Sequence, residues 1–403
     1  MGYNGDMSVA LMVLGLVLFI GLVIIHEYGH FIMARRNGVE VEEFGIFFPP
    51  RLKGWKTKHG WIFSINWLPI GGFVKLKGEH DVDTEPGSMG AASVWGKTQI
   101  MAAGVVMNLI AAYVLLVLLA LVGMPHIVDN QFIIKHDAAY VEHARTYVIA
   151  GTIERGSPAD KAGIKEGDII VAAGAAGHLM SLANANQLPS ITQQYAGKTL
   201  TVQYRQDDTS PVQEKTVQLR SAAEVDHLKV LGKNAGYLGV GVDESRSGVD
   251  IVRSTWSAPV VAAGTMWQFT ALTFQALGKA LAGIAGIVAG FATHNTVARQ
   301  AAQTEASSQV AGPVGIFFVF KYGSALGIRF ILLIVAILSL TLGIMNILPI
   351  PALDGGRLWL MLFTRAIHRP LSPEREEAIN AAGFAFLMGL IILITVVDVR
   401  RFF

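Results

Sequence analysis

Residues 26 to 30 read His26-Glu27-Tyr28-Gly29-His30. Imidazoles four residues apart share one face of a helix. At that separation both can bind one zinc ion, and the intervening Glu27 can take a proton from an attacking water. The motif lies inside an apolar run of helical length, Met7 to Ala34, closed by Arg35 and Arg36. An ionisable side chain at the centre of a membrane helix costs about 3 kcal/mol on insertion scales and marks a functional site by default. The competing reading, a polar patch pairing with other helices, leaves three such groups within five residues without a purpose.

A catalytic zinc takes three protein ligands and keeps a fourth position open. The third ligand must lie at the same depth, which directs attention to an acid near a membrane edge. The segment Asn346-Ile-Leu-Pro-Ile-Pro-Ala-Leu-Asp354-Gly-Gly offers one. Pro349 and Pro351 interrupt an apolar span there, and Gly355-Gly356 lets the backbone turn tightly. Asp354 is therefore the candidate third ligand. Its alternative reading, a helix N-cap or loop carboxylate beyond the membrane, conflicts with irregular backbone at that depth, which is tolerated only where it lines a cavity.

The elements that must position these residues are mostly membrane helices. The chain has 403 residues, 52% apolar and 15% charged, whereas soluble domains carry about 25% charged residues. A net charge of +2 gives no support to a nucleic-acid partner, and the absence of cysteine excludes disulfides and thiol chemistry. Four spans are expected: Met7 to Ala34, Gln99 to Met124, Gly327 to Leu348 and Ala381 to Val397. The first has neither a basic leader nor a small-residue cleavage site, so it reads as an uncleaved helix. Lys and Arg crowd the loop from Arg35 to Lys97 and recur at Arg357, Arg365, Arg369 and Arg375. Both loops should then be cytoplasmic, with the long segment between spans two and three on the other side. Arg400 and Arg401 count mildly against this orientation.

A further apolar stretch, Ala258 to Ala292, carries Gln268, Gln275 and Lys279 at the spacing of one polar helical face, which suits an interfacial helix. A fifth crossing there would also put His30 and Asp354 on opposite sides of the membrane. In the first loop, Trp61 to Trp67, a Leu-Pro-Ile-Gly-Gly turn and Phe73-Val74-Lys75-Leu76-Lys77 read as a β-hairpin with one apolar and one charged face; a solvated hairpin packed on loop residues is the plainer alternative. From about Tyr147 the composition turns soluble. Ser157-Pro158-Ala159 starts a helix, Gly167-Asp168 marks a turn, and short strands surround them. This region resembles a PDZ domain of the kind attached to bacterial proteases.

Taken together, the His-Glu-x-x-His motif, the Asn346 to Gly356 segment, the PDZ-like insert and Ala311-Gly-Pro-Val-Gly-Ile316 resemble the site-2 protease family of intramembrane zinc metalloproteases over most of the chain. The resemblance implies zinc on His26, His30 and Asp354, with Glu27 as catalytic base. It also implies that Asn346 helps hold the substrate backbone, that Phe73, Val74, Lys75, Leu76 and Lys77 offer a strand edge to it, and that the PDZ domain restricts bulky substrates. Substrates would be single-span membrane proteins, such as anti-sigma factors already trimmed by a first protease, or signal-peptide remnants. Two departures stand out. Family members commonly carry Ala-Gly-Pro before an Asn in the second span, whereas Ala103-Gly104-Val105-Val106-Met107-Asn108 lacks that proline, and one PDZ-like domain stands where better-known members have two.

The expected architecture is a polytopic α-helical membrane protein with a cytoplasmic, membrane-associated β-hairpin and one extracytoplasmic PDZ-like α+β domain. Its layout runs: first helix 1–36, hairpin loop 37–98, second helix 99–124, linker 125–146, PDZ-like domain 147–245, linker with interfacial helix 246–326, third helix 327–356, cytoplasmic loop 357–380 and fourth helix 381–398. The expected home is the bacterial inner membrane, with the lipid bilayer and a peptide or C-terminus in the PDZ groove as further partners. A catalytically silent PDZ scaffold is the main alternative, and it gives Glu27 no role. A metal transporter would spread ionisable groups along several spans. The remaining histidines (59, 80, 126, 136, 143, 178, 227, 294 and 368) show no ligand spacing, and Trp256, Trp267 and Trp359 read as membrane-interface anchors.

Overall fold

The computed structural model describes residues 5–79, 83–207, 210–232, 235–293, 312–368 and 371–402. His80, His294, Ala311 and Arg369, which the sequence reading used, lie outside them. The chain divides into a helical unit, residues 1–141 and 251–403, and a second unit, residues 142–250.

In the helical unit, α1 (Gly5–Arg36) is followed by β1 (Val41–Lys56) and β2 (Ile62–Leu76), and then by α2 (Val94–Val122), which opens on a Ser93 cap. The expected two-stranded hairpin is corrected here. Residues 62–68 and 72–76 do not pair with each other; both pair with residues 41–48, which lie between them, and residues 51–56 return along the far side of 62–68. The four ribbons therefore run 72–76, 41–48, 62–68, 51–56, and 72–76 is an edge. Val41 to Lys56 escaped notice because Pro49-Pro50, joined by a cis peptide bond, breaks its strand pattern.

Past α2, β3 (Met124–His126) and β4 (Ala139–Glu142) flank β11 (Asp250–Arg253) in a small sheet. Beyond it come α6 (Ala258–Ala292), α7 (Pro313–Gly323), a short 3-10 turn, α8 (Ile328–Ile347), α9 (Asp354–Ala366) and α10 (Pro373–Phe402). Five described helices, α1, α2, α6, α8 and α10, are long and apolar enough to cross a membrane, one more than the four expected. The addition is α6. The amide of Ser254, just before α6, donates to Ala120 O near the end of α2, and Arg329 at the start of α8 lies beside Gly123 at that same end. The start of α6 and the start of α8 thus both lie at the same end of α2.

The helical core is built from facing apolar stripes, Ala112, Leu116 and Leu119 of α2 against Leu333, Ala336 and Leu340 of α8, with Val261, Ala262 and Phe269 of α6 on their flank. Small residues bring helices close: a Cβ on Gly29 would lie 2.6 Å from Ala103 O. The start of α6 is fixed by Asp137, which accepts from the backbone amides of Thr255 (2.8 Å) and Ser257 (3.0 Å) and from both hydroxyls. Those bonds hold its carboxyl well below the usual carboxylate range.

The second unit is an antiparallel sheet in the order β10 (Val240–Ser247), β5 (Arg145–Ile153), β6 (Ile169–Ala175), β8 (Thr199–Arg205), β9 (Gln213–Gln218), with β7 (His178–Ser181) added to β6. Helices α3 (Pro158–Ala162), α4 (Gln187–Gln194) and α5 (Ala222–Val230) accompany it. Val148, Ile170, Leu200, Val202 and Leu188 form its core. The Ser157-Pro158 start holds: Ser157 Oγ accepts from Asp160 N, and α3 ends on the left-handed Gly163.

Candidate active site

The site begins on α1, where His26 and His30 are buried on one face. Ionisable groups at that depth need partners, and α2 supplies them. His30 Nδ1 donates to Ile100 O at 2.7 Å, which leaves Nε2 with its lone pair facing inward. His26 Nδ1 lies 3.3 Å from the Asn108 side-chain amide. Asn108 is buried, and its Oδ1 has no other partner. Amide oxygen and nitrogen are interchangeable in such assignments. With Oδ1 turned to His26, it accepts the Nδ1 proton. Both imidazoles then present Nε2 to the same point, each steadied through its other nitrogen as metal-ligating histidines are.

Asp354 arrives from the opposite end of the sequence. Helix α8 stops at Ile347, the proline-containing segment follows, and α9 opens at Asp354. Gly355 and Gly356 make this turn possible: a Cβ on either would overlap backbone of residues 347–351. Asp354 Oδ2 sits 2.9 Å from His26 Nε2 and 3.2 Å from His30 Nε2, and the two Nε2 atoms are 3.3 Å apart. Among the described residues this is the cluster whose ligand atoms converge closely enough to hold one ion. Two neutral imidazoles and a carboxylate, with the outer nitrogens already engaged, are a donor set that fits catalytic zinc.

Glu27 faces a cavity of about 140 Å³ whose lining includes His30, Gly72, Phe73, Val74 and Asp354. Gly72 is close enough that a Cβ there would meet Glu27 Cγ at 3.2 Å. Phe73, Val74 and Leu76 thus reach the cavity, but Lys75 and Lys77 turn away to ion pairs with Glu42 and Glu40. Asn346 Nδ2 lies 3.4 Å from His26 Nε2, at the metal cluster itself.

Nearly all of the chain, residues 14–390, matches the model of peptidase family M50. The chain belongs to peptidase family M50. It is 25% identical to the regulator of sigma-W protease RasP of Bacillus subtilis, across 96% of this chain and 98% of that relative. The zinc metalloprotease RasP of Bacillus licheniformis is 26% identical, across 97% and 99%. A Clostridium acetobutylicum protein provisionally named a zinc metalloprotease is 29% identical across 98% of both chains. The chain is accordingly a multi-pass membrane zinc metalloprotease, and its triad fits that metal.

Two residues of the Ala103 to Asn108 segment, quoted above only for its missing proline, also stand at this site. Asn108 is a polar residue in the apolar second span, and that burial cost was the available signal. Gly104 makes room for the imidazoles: a Cβ there would collide with His30 Nε2 and His26 Cε1. The proline absent at Val105 leaves α2 an unbroken helix through this contact. The remaining described histidines are exposed, apart from half-buried His126, and Trp256, Trp267 and Trp359 are exposed.

Proposed function

We propose that this M50 protease hydrolyses peptide bonds in or near the transmembrane segment of single-span membrane proteins. One observation carries the reading: Glu27, His30 and Asp354 share a single cavity with the edge 72–76, which pairs with no second strand among the described residues. A substrate helix hides its carbonyls in its own hydrogen bonds, so it must unwind before attack. Pairing the unwound stretch with residues 72–76 would satisfy the freed groups by strand addition. Asn346, beside His26, would steady the substrate backbone.

When held by His26, His30 and Asp354, zinc supplies Lewis-acid polarisation of the scissile carbonyl and of water. Glu27 takes the proton of that water and passes it to the leaving amine. Asn108 and Ile100 O keep the two imidazoles in the tautomer and orientation that ligation requires.

The Lys and Arg distribution supports a cytoplasmic site and an extracytoplasmic second unit. The Ser157-Pro158 helix start supports reading that unit as PDZ-like, a module that would screen bulky substrates. The starts of α6 and α8 at the same end of α2 support an interfacial α6. The name of the Bacillus subtilis relative supports a regulator-type substrate, such as an anti-sigma factor trimmed by an earlier protease, in a bacterial inner membrane.

Proline placed at Val74 tests strand addition. Cleavage of a tagged single-span substrate should fall about 100-fold, while zinc content stays unchanged. Unchanged cleavage would remove the strand from the mechanism.

A further inference from the structure

The edge strand 72–76 is tied down at both ends. At its start, Gly72 packs on Glu27 and Val23, and the amide of Val74 points at the Glu27 carboxylate. At its end, Leu76 N donates to Glu79 Oε1 at 3.1 Å. The other oxygen of that carboxylate, Oε2, meets Arg357 Nη1 at 3.0 Å, and Arg357 Nη2 reaches Glu79 O at 3.5 Å. Arg357 sits three residues beyond Asp354 on α9, and residues three apart are neighbours on one helix face. Both Glu79 and Arg357 line the cavity that holds Glu27 and Asp354.

The geometry points to Glu79 and Arg357 as positioning residues that fix the substrate-receiving strand relative to the metal ligand Asp354. This inference rests on the reading of residues 72–76 as that strand. The pair is about a third exposed, where an ion pair adds little to stability. Its arrangement is directional instead. Arg357 presents two nitrogens to one residue, and the same carboxylate grips the last amide of the edge. A reacting bond out of place by about 1 Å can lose about 100-fold in rate, so a strand free to shift against α9 would present neighbouring bonds.

The test uses the full chain, zinc-loaded, in nanodiscs. Hydrogen exchange is followed in peptides covering residues 71–79 for the intact chain, Arg357→Ala, Glu79→Gln and Arg357→Lys. Arg357→Ala is expected to speed exchange at 72–76 about tenfold, although no Arg357 atom bonds to that strand. Glu79→Gln, which keeps an acceptor for Leu76 N, should show a smaller rise, and Arg357→Lys should recover most of the protection. In parallel, Arg357→Ala should lower kcat about 10- to 100-fold with KM within about threefold, and the products should include cuts at neighbouring bonds.

Unchanged exchange at 72–76 in Arg357→Ala would overturn the inference. So would loss of zinc from that variant, which would mean that Arg357 serves α9 alone, or cleavage confined to the original bond at the original rate. The exchange measurement needs no turnover. A chain that cleaves no substrate would therefore contradict the protease reading and leave the exchange result to judge the pair.

Discussion

The two units bury polar side chains for different reasons. In the second unit, buried Ser157 accepts from the amide three residues on, and buried Asp168 accepts from Lys165 N. Each bond is local and shapes a helix start or a turn. In the helical unit, His26, His30, Asn108, Asn346 and Asp354 come from four separate elements and span more than 300 positions, yet they meet within hydrogen-bonding distance. Around water, a buried polar group commonly repairs the backbone. Inside a membrane unit, where each costs far more, several aimed at one point mark the chemistry.

Substitutions should separate the two cases. The largest effect is expected at the ligands: His30→Ala or Asp354→Asn should remove zinc and lower cleavage at least about 1,000-fold. Metal analysis of purified chain checks this, and a fully loaded Asp354→Asn protein would displace Asp354 from the ligand set. Gly104→Val comes next. Its side chain would enter the space of both imidazoles, so zinc should be lost with α2 still helical, as read by circular dichroism alongside metal content.

Asn108→Ala is milder. Removing a group that orients a ligating histidine should weaken zinc affinity about 10- to 100-fold, measurable by competition with a chelator. Equal affinity would mean that His26 needs no such support. The smallest effect belongs to the second unit. Ser221→Ala should destabilise it by about 1 kcal/mol through loss of the capping box and leave zinc untouched. The same cap has a pH signature. Bonds from Ser221 hold the Glu224 carboxyl below its ordinary value, so its contribution is complete above the unfolded-state value and is lost as pH falls through the lower folded one. Thermal melting of the chain with and without Glu224→Gln, between pH 7 and pH 3, reads that difference.

The chemistry was more legible in the sequence than its setting. His26, Glu27 and His30 announce themselves by helical spacing, and Asp354 by the prolines and glycines around it. The β-sheet was half seen because pairing is non-local: strands 62–68 and 72–76 look like partners across a short turn, yet residues 41–48 lie between them. α6 was legible as a helix, and only its neighbours show that it starts at the same end of α2 as α8 does. Gly104 and Glu79 make their contacts with residues far along the chain, which no local pattern encodes.

The most direct test of the account compares the intact chain with Glu27→Gln in membranes containing a tagged single-span substrate, with zinc measured in both. The account predicts full zinc in each and cleavage by the intact chain alone, at least about 100-fold above the variant. Equal cleavage by the Glu27→Gln chain with zinc bound would contradict the role of Glu27 as base and, with it, the proposed active site.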